Sequence, residues 1–443
     1  MSTFDSVSHD VIGIGFGPSN LALAIAVREH NERAAQGGPG RVDALFAERQ
    51  ARFGWHRGML IEGATMQVSF LKDLATMRDP TSEYGFLSYL REQGRLVDFI
   101  NHKTMFPTRV EFHDYLEWAA ARFADRVRYG TTVRALRPVT GENGDVVAVD
   151  VVAADGGTVG RARNVVLGMG LRPRLPAGVH VSERVWHNSD LLTRLKTLPE
   201  LRHQRFVVVG AGQSAAEVAE HLHTTYPHAE VCAVFGRYGY SPADDSAFAN
   251  RIFDPSAVDD FYDAPEHVKR SLLAYHGNTN YSVVDIDLID ELYRRVYQEK
   301  VAGRERLRIL NTARVAGIDR LRDGVRVQID HLSSGDRLPV ECDALIFATG
   351  YEPADPADLL GELAPLCERD GRGRPRVARD YRLVTAPALR CGIYLQGGTE
   401  HTHGLSSSLL SNAAIRAGEI LHSVLEHRAA HDLHDGRAPL AAR

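Results

Sequence analysis

Two short glycine-rich stretches hold the residues best suited to do chemistry. Gly13-Ile14-Gly15-Phe16-Gly17-Pro18 stands near the start, and Gly210-Ala211-Gly212-Gln213-Ser214-Ala215 near the middle. Glycines at this spacing let a backbone turn tightly and come close to a ligand. A helix that follows adds free N–H groups and the positive end of its dipole, which together suit a pyrophosphate. In the first loop Gly13 is expected to make the tight turn and Gly15 to admit the phosphates. Pro18 stands where a third glycine is usual. It suits the first turn of a helix, where its missing N–H is no loss. Glu48 ends the next apolar run, where it can accept hydrogen bonds from a ribose. The second loop has no such acid; Gly236-Arg237 stands in the matching place. An arginine there can pair with a 2′-phosphate, which favours NADP(H) over NAD(H). A plain solvent-exposed arginine is the other reading.

The elements that must position these loops are legible around them. Asp10 to Ile14 reads as a strand, Leu21 to Val27 as a helix, and Val42 to Glu48 as a second strand, a βαβ unit. Phe206-Val207-Val208-Val209 is a continuous apolar run, as in a parallel strand buried on both faces. Ala216 to His223 continues as helix and Glu230 to Phe235 as strand. Glu111 to Arg122 has an amphipathic helical pattern. Val147 to Ala153 and Asn164 to Leu167 read as strands, residues 283–302 as a long helix, and Leu409 to His422 as a last one. Arg172-Pro173-Arg174-Leu175-Pro176 breaks the chain where it would cross between domains. Asp343 to Tyr351 reads as a strand ending in an Ala-Thr-Gly-Tyr turn; two nucleotide units with this turn towards the C-terminus point to the two-dinucleotide-domain flavoproteins, in which it lies near the flavin or the domain hinge. The fold class is α/β, with two Rossmann-like dinucleotide-binding domains and a smaller, mostly helical part. Residues 9–195 form the first domain. Residues 196–340 form the second, with helices inserted at about 240–300. Residues 341–426 return to the first. Residues 1–8 and 427–443 are expected to be flexible.

Other chemistries find little support. The four cysteines, Cys232, Cys342, Cys367 and Cys391, form no CxxC pair. That excludes a disulfide reductase and fits a reducing cytosol. Trp186-His187-Asn188-Ser189-Asp190 does not supply the signature of Baeyer–Villiger enzymes. His401 and His403 have no third ligand at useful spacing, so no metal is expected. The net charge of −5 over 443 residues suggests neither nucleic acid nor an anionic membrane as partner. No segment approaches the roughly 18 apolar residues of a membrane span, and the first nine residues lack a signal-peptide core. A cytoplasmic protein is expected.

Five blocks resemble the microbial ornithine N5-monooxygenases, most closely their actinobacterial members. They are Gly15 to Leu21, Met66 to Leu74, Gly212 to Glu217, Asn278 to Asp285 and His403 to Ser406, within a resemblance running from about residue 9 to 425. It implies bound FAD, NADPH, O2 as co-substrate, and L-ornithine. It also implies substrate contacts at Lys72, Asn250, Phe253, Asn280 and Ser411. Flavin contacts are implied at Gly13, Gly15, Gly17, Pro18, Ser19, Asn20, Glu48, Trp55, His56, Gln67, Val133, Ser408, Leu409 and Leu410. NADP contacts are implied at Ala211, Gly212, Gln213, Ser214, Arg237, Asn280, Tyr281 and Ser282. Relatives place an arginine six residues before the proline of a Pro-x-Asp-Asp block; here that position is Gly236, and Arg237 follows it. By composition alone Lys72, between Leu71 and Leu74, is either a snorkelling surface residue or a cation awaiting an anion.

The reaction so implied passes a hydride from NADPH to FAD and forms a flavin C4a-hydroperoxide. The neutral side-chain amine then takes its distal oxygen. N5-hydroxyornithine, a building block for siderophores or peptide natural products, is the expected product. No side-chain nucleophile is needed. Lysine or a diamine as substrate, and a flavin NADPH oxidase without amine chemistry, remain open. A homo-oligomer, as in relatives that form tetramers, is expected.

Overall fold

The computed structural model describes residues 9–36, 40–198 and 200–434. The expected flexible segment 1–8 lies outside them. So does the end of the C-terminal one, from residue 435.

Two parallel sheets organise the chain. The first has seven strands. Its parallel part runs Val127–Arg128, Ala44–Ala47, His9–Ile14 and Thr158–Leu167, with Gly392–Leu395 also joined to Thr158–Leu167. Val146–Ala153 and Val133–Thr140 extend it as an antiparallel flap. The second sheet has five strands, all parallel, in the order Leu307–Leu310, Glu230–Val234, Arg205–Val209, Ala344–Phe347 and Val185–His187. Phe206 to Val208 and Val231 to Val234 are fully buried. Such strands have helices or sheet on both faces, which is why they read as unbroken apolar runs. The second sheet takes strands from before residue 196 and after residue 340. Its edge strand Val185–His187 and its inner strand Ala344–Phe347 both lie outside the span expected for the second domain.

The chain passes between the sheets at two adjacent places. Leu171–Pro173 and Tyr351–Pro353 pair antiparallel, and Arg174 N–H donates to Gly350 O. The proline-rich break and the Ala-Thr-Gly-Tyr turn therefore form one two-stranded connector. An antiparallel sheet of Ala313–Arg320, Val325–His331 and Arg337–Cys342 covers the second sheet. Helices Pro255–Asp263, Glu266–His276 and Ile286–Val301 lie between its second and outer strands in sequence.

The first helix, Pro18–Ala35, buries Leu21 to Val27 and packs along the last one, Ala413–His434. That last helix starts later than expected, after a 3-10 stretch over Leu410–Asn412, and runs past His427, where a flexible tail was expected. Arg428 ties it down by donating to Arg41 O and Gly40 O at 2.7 and 2.9 Å.

Candidate active site

The tight turn of the first glycine loop falls at Gly15, not at Gly13 as expected. Gly13 is still in the first strand, and a Cβ there would lie 2.3 Å from the Phe46 ring. Its glycine is a packing requirement. Gly15 has φ +82°, and a Cβ on it would meet Gly168 O at 2.3 Å. Gly17 caps the following helix in extended conformation, and a Cβ there would meet nothing within 4 Å. The loop thus leaves open space at a helix N-terminus, the cradle a pyrophosphate needs. Pro18 occupies the first turn.

Buried polar groups hold this cradle. Asn20 donates to Gly15 O at 2.7 Å and Ile14 O at 3.3 Å, and is itself buried. It shapes the loop from behind. Glu48 Oε2 accepts from Phe16 N–H at 2.7 Å, and Oε1 from Gln50 N–H at 2.8 Å. Each carboxylate oxygen has a second lone pair, so these bonds orient the acid without exhausting it. Gln396 donates to Ser19 O at 3.1 Å. The observed donor set fits the adenosine and pyrophosphate end of a dinucleotide.

The second loop repeats the design with tighter packing. Gly210 has φ +144°, and a Cβ would meet Ala348 O at 2.3 Å. Gly212 caps helix Gln213–Thr225, with Ser282 Cα only 3.2 Å from where its Cβ would be. Ala215, where a third glycine is common, is buried against the strand. Arg237 donates to Ser282 O at 2.9 Å. The displaced arginine therefore stands beside Ser282, against the second loop, despite its shift by one residue.

Residues assigned to opposite cofactors meet on one carboxylate. Gln67 Nε2 donates to Asp285 Oδ2 at 2.6 Å, and Gln213 Nε2 to the same oxygen at 3.1 Å. Asp285 N–H returns a bond to Gln213 Oε1 at 2.9 Å. Asp285 caps helix Ile286–Val301, so that helix's N-terminus is set by the second loop's first helical residue. Burial pushes the Asp285 carboxyl up, against the pull of the two amides. A few ångströms away Arg109 grips Glu217 bidentately, at 2.9 and 2.7 Å, and donates to Met59 O at 3.1 Å. Thr108 caps the helix that begins at Arg109 and so aims this guanidinium. Met59 and Ile61 complete the seam by packing into the core of the second sheet.

A second crossing lies at the far side. Tyr281 O–H donates to Glu400, with Asn280 and Ser408 also within hydrogen-bonding reach of that hydroxyl. Burial and Glu400 together push the Tyr281 phenol up. His56 is exposed to solvent but has many protein atoms around it. Desolvation there and the nearby Arg109 cation hold its pKa at about 4. Its ring lies edge-on to Tyr351, which in turn contacts His187. Trp55, half-buried, sits against His56 and Phe112.

The expected substrate residues are placed less uniformly. Lys72 is half-buried, and among the described residues no carboxylate lies within salt-bridge distance of it. Asn250 Nδ2 is committed to its own loop, donating to Asp245 O at 2.6 Å. Phe253 is half-buried in the short 3-10 turn Ala249–Phe253. Ser411 is buried in the turn before the last helix, while Ser408 is exposed and Leu409 and Leu410 half-buried. No hydrogen bond joins Lys72 to Asn250, Asn280 or Ser411 among the described residues. Val133 opens its strand over the second face of the first sheet. Ala211 and Ser214 flank Gly212 and Gln213 in the loop. The four cysteines are free; burial pushes Cys342 and Cys391 up to about 12. Among the described residues there is no cluster of three potential metal ligands, and no helix long and apolar enough to cross a membrane.

The model for L-lysine 6-monooxygenase/L-ornithine 5-monooxygenase matches residues 7–353. The chain belongs to this family. An L-ornithine N(5)-monooxygenase from Burkholderia cepacia is 42% identical over 406 residues, covering 89% of each chain. Among solved structures, an ornithine N-hydroxylase of Kutzneria sp. 744, described with reduced FAD, NADP+ and L-ornithine, is 51% identical with a TM-score of 0.89, covering 95% of this chain and 99% of that one. An ornithine hydroxylase from Pseudomonas aeruginosa is 37% identical at TM-score 0.88, with the same coverage. As a member of this family the chain is a monooxygenase, and its two sheets are its two nucleotide-binding units.

Sequence reasoning missed three contributors: Asp285 as a shared acceptor, the Arg109–Glu217 grip, and the buried Arg416, which donates to Gln396 Oε1 at 3.1 Å and Ser19 Oγ at 3.4 Å. Asp285 closes the Asn278 to Asp285 block and Glu217 the Gly212 to Glu217 block, yet neither residue type nor spacing assigns either a role. Arg109 and Arg416 carry no local signal, because their partners are 108 and up to 397 residues away.

Proposed function

We propose that this protein hydroxylates the side-chain amine of L-ornithine at nitrogen, using FAD, NADPH and O2. The observation that carries the reading is the meeting of Gln67 and Gln213 on Asp285. Hydride transfer requires flavin and nicotinamide to touch. One carboxylate that orders a residue from each unit holds the two half-sites in a common cleft. Bound FAD, once reduced by NADPH, supplies the activation of O2. The chain's own residues bind, orient and exclude water.

Ser19 and the N–H groups behind Gly17 hold the pyrophosphate, with Glu48 on the ribose. Arg237 takes the 2′-phosphate of NADPH, beside Ser282. Lys72 supplies the counter-charge for the substrate α-carboxylate, which explains a half-buried lysine with no carboxylate within salt-bridge distance among the described residues. Asn250, Phe253, Asn280 and Ser411 frame the rest of the chain of the amino acid. With one end anchored at Lys72, the distance to the flavin measures side-chain length. The reactive amine must be neutral, so the hydroxylation step accelerates with pH into mild alkalinity. The enzyme acts in the cytoplasm as a homo-oligomer.

A panel of L-ornithine, L-lysine and cadaverine, scored for hydroxylamine product rather than NADPH loss, tests this. Ornithine should give the highest kcat/KM. Equal NADPH oxidation with peroxide and no hydroxylamine on every amine would leave only an oxidase. A single methylene is worth about 1–3 kcal/mol in a pocket, so lysine should trail by roughly tenfold or more.

A further inference from the structure

Arg416 is the most deeply buried cation among the described residues, at 2% exposure, and no carboxylate lies within salt-bridge distance of it. The acid nearest in sequence, Glu419, is committed to Arg379 at 2.9 Å and acts on Arg416 only at longer range, as does the Tyr381 ring, whose centre lies 5.9 Å from the guanidinium carbon. An isolated charge out of water is costly unless something compensates it. The guanidinium has only neutral acceptors: Gln396 Oε1 at 3.1 Å, Ser407 O, and Ser19 Oγ at 3.4 Å. These acceptors belong to the edges of the first nucleotide cradle. Ser19 is the second residue of the helix after the first glycine loop, and Gln396 also holds Ser19 O. Because Ser19 Oγ accepts from Arg416, its own proton is free to be donated away from the guanidinium.

We propose that Arg416 is the hidden counter-charge of the FAD pyrophosphate, acting through the Ser19 hydroxyl. Arg416 is a positioning residue, too buried to touch the ligand. Its charge polarises the Ser19 O–H, which donates to a phosphate oxygen at the helix N-terminus. The missing anion of the Arg416 site is then the cofactor. This rests on the FAD reading given above.

The test titrates deflavinated enzyme with FAD for wild type, Arg416→Met, Arg416→Lys, Ser19→Ala and the Arg416→Met/Ser19→Ala double variant. The flavin midpoint potential is measured on each reloaded protein. Arg416→Met should weaken FAD binding by about tenfold or more, the scale of a charge-assisted hydrogen bond. Arg416→Lys should recover much of it. Ser19→Ala should weaken binding similarly, and the double variant should be no worse than Arg416→Met alone. The midpoint potential should stay put, because the charge acts on the phosphates and not on the ring. FAD affinity within twofold of wild type in Arg416→Met, additive losses in the double variant, or a potential that moves in place of the affinity would overturn the proposal. Should Arg416→Met fail to fold, Ser19→Ala decides alone: undiminished affinity refutes the relay. Wild type that binds no FAD would instead refute the flavin reading itself.

Discussion

Replacing Arg109 by alanine should unfasten the two nucleotide units. Arg109 and Glu217 are 12% and 5% exposed and meet bidentately. Removing one partner of such a pair strands the other charge, at a cost of about 3–5 kcal/mol. Glu217 would keep one donor, Gln213 Nε2 at 3.1 Å, which softens the loss without cancelling it. Unfolding entropy is about 2.1 cal/mol/K per residue, so 443 residues give roughly 0.9 kcal/mol/K. The Tm should fall by about 3–5 °C in a single transition, and by more if the units now melt apart. Scanning calorimetry on the flavin-loaded enzyme reads both. The companion variant Arg109→Met/Glu217→Leu removes both charges and should recover most of the loss, since no charge is left stranded. A single variant as stable as wild type, or a double variant worse than the single, would refute the view that the seam is held by this pair.

Other expectations follow from the same geometry. Lys72→Ala should raise the ornithine KM by about tenfold to a hundredfold, the scale of a lost charged hydrogen bond, while NADPH oxidation persists; an unchanged KM would remove Lys72 from the substrate site. Asp285→Ala should release Gln67 and loosen Gln213, which keeps the backbone N–H of residue 285 and Glu217, and so raise the peroxide-to-hydroxylamine ratio. Asp285→Asn should keep it near wild type, because one oxygen accepts both amides and an amide oxygen can do the same. Equal ratios in the two variants would contradict this. His403 is buried against Tyr381, and desolvation lowers its pKa from 6.5 to about 4. The fold thus refuses a proton that the unfolded chain accepts. The contribution of His403 to stability is intact above pH 6.5, declines between 6.5 and 4, and levels below. His403→Gln should flatten that stretch of the Tm-against-pH curve; an unaltered slope would show that other groups dominate it.

Much of this protein is readable along the chain because its decisive signals are local. A glycine loop, the strand before it and the helix after it lie within residues 9–35 in the first unit and 205–225 in the second. The apolar run Phe206 to Val209 marks a strand buried on both faces without reference to anything distant. The absent CxxC pair disposes of thiol chemistry. The blocks around Lys72 and Asn280 resemble one family whatever the fold does with them. The sequence could not tell which glycine turns and which merely makes room, since Gly13 depends on Phe46 and Gly15 on Gly168, each brought close by sheet pairing. Nor could it show that the last helix runs on to His434, because Arg428 is secured there by carbonyls nearly 390 residues earlier. Tertiary structure decided the seam: Gln67 and Gln213 on one oxygen of Asp285, Arg109 on Glu217, and Arg416 behind Ser19. These are contacts between polar side chains far apart in sequence. Their partners are chosen by how two sheets dock, and no periodicity or spacing along the chain records that.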